Sequence, residues 1–352
     1  MRSRGTFHLD WLQIEVSSLC NGDCAYCAQW SYRKNWRGGL MELRTFEHLG
    51  PSFADADLVF LQGWGEPLLH PDIWRMVRRV RAAGAAVGFT TNGMLLDAES
   101  LERLVEDEVS IVAISLAGTT PATHERFRPA CKFLAIDQAL LALAELKRKK
   151  RSEYPRVHLA FLLLRSNLEE VGGLVDLASR WGASQIVVSN LSWIVEQQME
   201  DECTLLAPEI WPGAAMVLEL ARRRASAKGV LLHYHGPGVG EPRFICPENV
   251  LRACFVSHSG NVSPCVYTNF SLGADSHVSR YFDGRHTQVS PIVFGNVHER
   301  SLPEIWDSEE ARQFRNTFEE RRRQEHPGTA GLPAACAHCY RLREWCDCGN
   351  TC

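Results

Sequence analysis

Cys20, Cys24 and Cys27 stand in the run Cys20-Asn21-Gly22-Asp23-Cys24-Ala25-Tyr26-Cys27, a C-x3-C-x2-C spacing just after the apolar–polar stretch Trp11–Val16. Three thiolates this close can hold three irons of a cubane cluster. A four-iron cluster ordinarily takes four cysteine ligands, so a three-cysteine site leaves one iron open to a substrate or cofactor. The chain carries 13 cysteines in 352 residues. Its start, Met1-Arg2-Ser3-Arg4-Gly5 followed by Phe7-His8-Leu9-Asp10, lacks the apolar core of a signal peptide. A cytoplasmic location is therefore expected, where structural disulfides are rare and metal ligation or redox chemistry accounts for many thiols. Cys131 and Cys203 stand alone and are read as core or surface thiols. The remaining eight are Cys246, Cys254, Cys265, Cys336, Cys339, Cys346, Cys348 and Cys352. All lie in the last third, and eight is the number two further four-cysteine clusters would need.

The elements that must position the first three cysteines follow from periodicity. Strands are predicted over Trp11–Val16, Leu58–Gln62, Ala86–Thr90, Ile111–Ser115, His158–Leu164 and Gln185–Ser189. Amphipathic helices are predicted over Ile73–Ala83, Ala98–Glu106, Ile136–Lys149 and Leu168–Trp181, with Asp72 and Asp97 as starts and Gly84 and Gly182 as ends. Strands alternating with helices imply right-handed βαβ units and a parallel sheet. A partial (β/α)6 barrel is favoured over an open doubly wound sheet, because the unusual residues follow successive strand ends, the face that carries barrel active sites. Expected boundaries are 1–203 for this core, 204–235 for a connecting helix and strand, and 236–352 for a small loop-rich domain, broken by a helix over Leu302–Arg323. The net charge of −4 gives no sign of nucleic-acid binding, and no apolar run is long enough to span a membrane.

The ordered motifs resemble the radical S-adenosylmethionine (SAM) superfamily. The cysteine triplet, with Tyr26 before the last cysteine, looks like its cluster loop. Gly63-Trp64-Gly65-Glu66-Pro67 resembles its GGEP segment, with Trp64 as a departure. Thr91-Asn92-Gly93 resembles its third-strand motif. Ile114-Ser115-Leu116-Ala117-Gly118 resembles its fourth-strand serine motif, with Ala117 where Asp is common. The C-terminal third resembles the auxiliary-cluster extensions called SPASM (two clusters) and twitch (one), through Cys246, Cys254, Gly260-x4-Cys265, Gly295-Asn296-Val297, Leu302-x3-Trp306 and Cys336-x2-Cys339. The run Cys346-x-Cys348-x3-Cys352 departs from the full SPASM spacing.

This resemblance implies one [4Fe–4S] cluster on Cys20, Cys24 and Cys27, and one or two auxiliary clusters on the eight C-terminal cysteines. It implies SAM as cofactor, held by Gly63, Gly65, Glu66, Asn92, Ser115 and Tyr26, with Arg126 or Arg128 on its carboxylate. It implies a one-electron donor such as a flavodoxin or ferredoxin, and a 5′-deoxyadenosyl radical that takes hydrogen from the substrate. Auxiliary clusters favour oxidation or cross-linking of a peptide or protein. Oxidation of a small molecule, such as a sugar or aminocyclitol, is the alternative. His233 and His235 are candidate acid–base groups, and Trp193 and Glu196 are candidate pocket residues. Two further readings are a non-enzymatic iron–sulfur protein and a zinc ribbon on Cys336 and Cys339 with Cys346 or Cys348. A cysteine-nucleophile enzyme lacks a Cys-His-Asn pattern. Gly63 and Gly65 are expected to adopt positive φ and to let backbone approach a ligand.

Overall fold

A computed structural model describes residues 7–207, 209–237, 246–272, 278–282, 284–323, 329 and 331–346, apart from the side chains of 235, 237 and 343–346. Seven strands run parallel in chain order: β1 (Leu9–Ile14), β2 (Ala56–Phe60), β3 (Ala86–Thr91), β4 (Ile111–Leu116), β5 (Arg156–Leu163), β6 (Gln185–Asn190) and β7 (Leu231–Pro237). The first six are the strands expected from sequence, shifted by at most two residues at either end. β1 and β7 are not paired, so the sheet stays open between them.

The sheet continues past both edges. Beyond β1 lie β8 (Ala253–Val256), parallel to it, then β9 (Asn261–Ser263) and, later in the chain, β12 (Gly295–Asn296). Beyond β7 lies β13 (Glu344–Cys346), antiparallel to it, with Cys346 opposite His235. β10 (Val278–Phe282) and β11 (Arg285–Val289) form a separate hairpin. The cysteine-rich third is thus joined to the core by backbone pairing as well as by side-chain packing.

Alternation in each strand divides the sheet into two faces. In β5, Val157, Leu159, Phe161 and Leu163 are buried while their neighbours are more exposed. The buried face is covered by helices, each presenting an apolar stripe. Helix Ile73–Ala82 buries Ile73, Met76, Val77 and Val80, an i, i+3, i+4, i+7 pattern in which each side chain contributes roughly 1.5–3 kcal/mol. Asp97 caps helix Ala98–Glu106 by accepting from the Ser100 N–H at 2.8 Å. Gly182 closes helix Val171–Trp181 at φ 64°. The single helix expected over Leu302–Arg323 is two, Leu302–Trp306 and Glu309–Arg322, because the Ser308 hydroxyl accepts from Ala311 N–H and starts a new one.

The other face is concave. Thr90, Ser115, Leu162 and Ser189, at the carboxyl ends of β3 to β6, line one cavity together with Gln62 just past β2. A single cavity reached from five consecutive strands requires the sheet to curl around it, which is the partial barrel. Among the described residues no helix is long and apolar enough to cross a membrane.

Candidate active site

Backbone and side-chain hydrogen bonds fix the cysteine loop that follows β1. Ser17 Oγ accepts from Leu19 N–H at 3.2 Å, and Trp36 Nε1 donates to the Ser18 carbonyl at 2.9 Å. The Gly22 N–H points at Cys20 Sγ, 3.3 Å away. Asn92 Nδ2 donates to Asn21 Oδ1 at 2.7 Å and stands 3.9 Å from Cys20 Sγ. From the opposite side, Ala25 N–H donates to the Phe127 carbonyl and Ala130 N–H to Asp23 Oδ1. Cys20, Cys24 and Cys27 are half-buried and line the cavity, whose volume is about 280 Å³.

Glu66 organises the next two motifs. It is buried, and its carboxylate accepts from Thr91 Oγ1 at 2.7 Å, Asn92 N–H at 2.8 Å and Leu68 N–H at 3.3 Å. Burial raises its pKa, and the Asn92, Thr91 and Leu68 donors oppose that rise. Neither Gly63 nor Gly65 has the positive φ expected of them; what each needs is space. A Cβ on Gly65 would come within 3.0 Å of the carbonyl oxygens of Ser17 and Leu19, and one on Gly63 would strike the Glu15 side chain. Their close approach is to the cysteine loop and to β1's continuation. Glu15, itself buried, accepts from Trp64 N–H at 2.9 Å and contacts His258 Nδ1 at 3.2 Å, tying the barrel to the cysteine-rich third.

Of the two arginines, Arg128 lines the cavity, is buried and donates to Tyr26 Oη at 3.1 Å; its Nε has no partner. Arg126 is exposed beside Glu202. Ser115 and Trp193 also line the cavity, whereas Glu196 is exposed on the surface. His233 lies on β7 beside Val187 and does not line the cavity. His235 is paired on the same strand, and its side chain lies outside the described residues.

Sequence reasoning missed Cys131. It is buried, and its thiol sits beside those of Cys20 and Cys24. Cys20, Cys131 and Cys24 Sγ all lie 3.4–3.7 Å from the position of a Cβ on Gly22. The neighbouring Cys131 thiol, aided by the Arg128 charge, lowers the Cys24 thiol against the effect of burial. Nothing in the spacing of Cys131 signals this role; only the packing of segment 128–131 against the loop does.

A second chamber, of about 20 Å³, is enclosed by Cys246, Cys265, Cys336 and Cys339 with Glu248, Phe314 and Phe318. Burial first, then the neighbouring thiolates and Glu248, pushes the Cys246 and Cys265 thiols well up. Cys254 is not in this group; it sits on β8 opposite Leu12, pushed up to about 12 by burial. Cys348 and Cys352, and the side chain of Cys346, lie outside the described residues. Among the described residues no three of the sulfurs come within 4.8 Å of one another, whereas tetrahedral zinc would draw four to roughly 3.8 Å apart. Soft thiolate donors spaced more widely than one ion requires suit a multi-iron core. Tyr267 lines both this chamber and the larger cavity.

The match to known families agrees with this geometry. Residues 14–178 match the radical SAM superfamily and residues 246–340 match the SPASM iron–sulfur cluster-binding domain. The chain belongs to the radical SAM superfamily. Members with these two domains carry [4Fe–4S] clusters and SAM. The chain is 26% identical over 321 residues to a Pyrococcus furiosus protein named "tungsten-containing aldehyde ferredoxin oxidoreductase cofactor-modifying protein", covering 87% of this chain and 83% of that one. It is 24% identical over 349 residues to the PqqA peptide cyclase of Granulibacter bethesdensis, covering 96% and 81%. Among solved structures, anSMEcpe with bound AdoMet and a Cp18Cys peptide shares the fold at TM-score 0.64 and 17% identity, covering 96% of this chain and 88% of that one.

Proposed function

We propose that this radical SAM enzyme is an oxidoreductase that oxidises or cross-links a residue of a peptide or protein. Cys20, Cys24 and Cys27 hold the SAM-binding cluster; Cys246, Cys265, Cys336 and Cys339 hold an auxiliary one. The cluster and SAM, when bound and supplied with an electron by a flavodoxin- or ferredoxin-type donor, provide the radical that abstracts hydrogen. The chain's own residues do the placing. The Gly63–Glu66 segment and Asn92 present polar groups toward the methionine end of SAM, Arg128 offers its guanidinium to the carboxylate, and Ser115 and Tyr26 border the rest.

The observation that carries the peptide reading is the size of the cavity. About 280 Å³ lies just below the range of pockets that enclose one drug-sized ligand. SAM and the substrate's reacting group must share it, which favours a substrate that inserts one side chain over one that enters whole. A side chain on a longer backbone satisfies that, and both the PqqA cyclase relative and the peptide-bound anSMEcpe neighbour are named for peptides. A second reading, modification of a small molecule or cofactor, draws on the name of the Pyrococcus relative. The test is 5′-deoxyadenosine release from SAM by anaerobically reconstituted, reduced protein, alone and with peptides, aminocyclitols or a tungsten cofactor. Stimulation by peptides, with a mass change on the peptide, supports the first reading; stimulation by a small molecule alone overturns it.

A further inference from the structure

The two ends of the larger cavity differ in chemistry. One holds the three thiols, Glu66, Asn92 and Arg128, and is assigned above to cluster and SAM. The other is walled by Trp64, Trp193, Tyr267, Leu162 and Leu191, with Ser189, Asn190 and Ser192 as its polar groups. Among the described residues no formally charged side chain lines this second end. Arg280, the nearest guanidinium named there, stacks on the Trp193 ring at 4.8 Å but does not line the cavity.

The rings are set before any substrate arrives. Trp64 meets Trp193 at 5.9 Å and Tyr267 at 5.8 Å, both edge to face, and stacks on Phe270 at 5.5 Å. Its indole N–H donates to the Asn269 carbonyl at 2.9 Å. Preset rings favour a further ring through offset and edge-to-face contacts. A charge brought there loses its hydration against the rings.

We propose that this end is the specificity pocket for an uncharged aromatic side chain of the substrate, selected by Trp193 and Tyr267. It rests on the peptide reading above and narrows it. Because Tyr267 also walls the Cys246 chamber, a ring held there is one side chain away from the auxiliary site.

Equilibrium dialysis of reconstituted, SAM-loaded protein tests it with capped Gly-Ala-X-Ala-Gly peptides in which X is Tyr, Phe, Leu, Glu or Lys. The capped amino-acid amides serve as a parallel set. Tyr and Phe are expected to bind at least about tenfold tighter than Glu and Lys. Tyr267→Ala is expected to shrink that ratio. Ser189→Lys, which adds a charge and removes no ring, is expected to bring Glu level with Tyr. Circular dichroism and cluster absorbance establish that both variants fold and load. Equal binding of Tyr and Glu, or a ratio unmoved in both variants, overturns the pocket. Peptides that bind without a ring preference overturn the pocket and leave the peptide reading standing. Amides that show the preference while peptides do not bind have the reverse effect, and no binding in either set overturns both.

Discussion

The two cysteine sites solve opposite problems. Cys20, Cys24 and Cys27 come from one loop of eight residues, are half-buried and face an open cavity of about 280 Å³. Cys246, Cys265, Cys336 and Cys339 come from three distant segments and enclose about 20 Å³. Three of these four are buried and the fourth, Cys265, is half-buried. The first site is local and unfinished, with room for an exchangeable ligand. The second is closed and joins strand β8's neighbourhood to the end of the chain, so it can act as a staple for a region with little continuous core. An open, local cysteine site and a closed one drawn from distant segments can thus be told apart by sequence separation and enclosure, before any metal is considered.

The widest separation between the sites should come from removing each in turn. The triple variant Cys20→Ala/Cys24→Ala/Cys27→Ala is expected to abolish 5′-deoxyadenosine formation and lose about four irons per chain, with only a small change in melting temperature. Cys336→Ala/Cys339→Ala is expected to lower the melting temperature by roughly 5–10 °C, because metal-binding free energy at a structural site is folding free energy. Iron analysis and calorimetry on both variants check this. Equal destabilisation would break the contrast.

A narrower test concerns the steric fit under the open site. Gly65→Ala places a methyl against the carbonyls of Ser17 and Leu19, and backbone cannot yield as a flexible side chain can. It is expected to cost about 1–3 kcal/mol and, by shifting the cysteine loop, about 100-fold in SAM cleavage. Gly213, in helix Trp211–Ala227 with nothing within 4 Å of a Cβ, is the control. Gly213→Ala should leave cleavage unchanged and gain roughly 0.5–1 kcal/mol. Denaturant titration and product assay together separate the two glycines.

The same contrast sets what the sequence could show. The barrel strands and the first site were legible because period-two alternation, turn residues and the cysteine loop are all local signals. The second site was legible only as a pool of eight candidates: which four meet depends on how the segment carrying Cys336 and Cys339 packs against the residues around Cys246 and Cys265, and spacing does not encode that. Cys254 was drawn into the pool by its neighbours in sequence, yet its strand position beside Leu12 takes it into the sheet. Cys131, Glu15 and Tyr267 were invisible as site residues for the same reason, since each reaches its place through tertiary packing. His233 carried the expected chemistry, but its strand register sets it beside Val187 and away from the cavity.

A pH-dependent effect sharpens the comparison behind the open site. His124 is buried beneath the fourth-strand motif, and its Nδ1 accepts from Ala117 N–H at 3.4 Å. Burial first, then the Arg128 charge, lowers its pKa to about 3 from an ordinary 6.5. The unfolded chain therefore takes up a proton between these values that the folded chain refuses. The stability this histidine permits is complete above pH 6.5 and is lost as pH falls toward 3. At pH 5 the loss is about 2 kcal/mol. His158 on β5, lowered to about 4 chiefly by burial, adds a similar slope, so His124 is isolated by difference. His124→Asn keeps an acceptor near Ala117 N–H and removes the titration. The melting temperature should fall less between pH 7 and pH 5 in this variant, by about 3 °C, than in the parent. An identical fall in both would show that this histidine is protonated in the folded state, and that the packing behind the open site is wetter than its burial indicates.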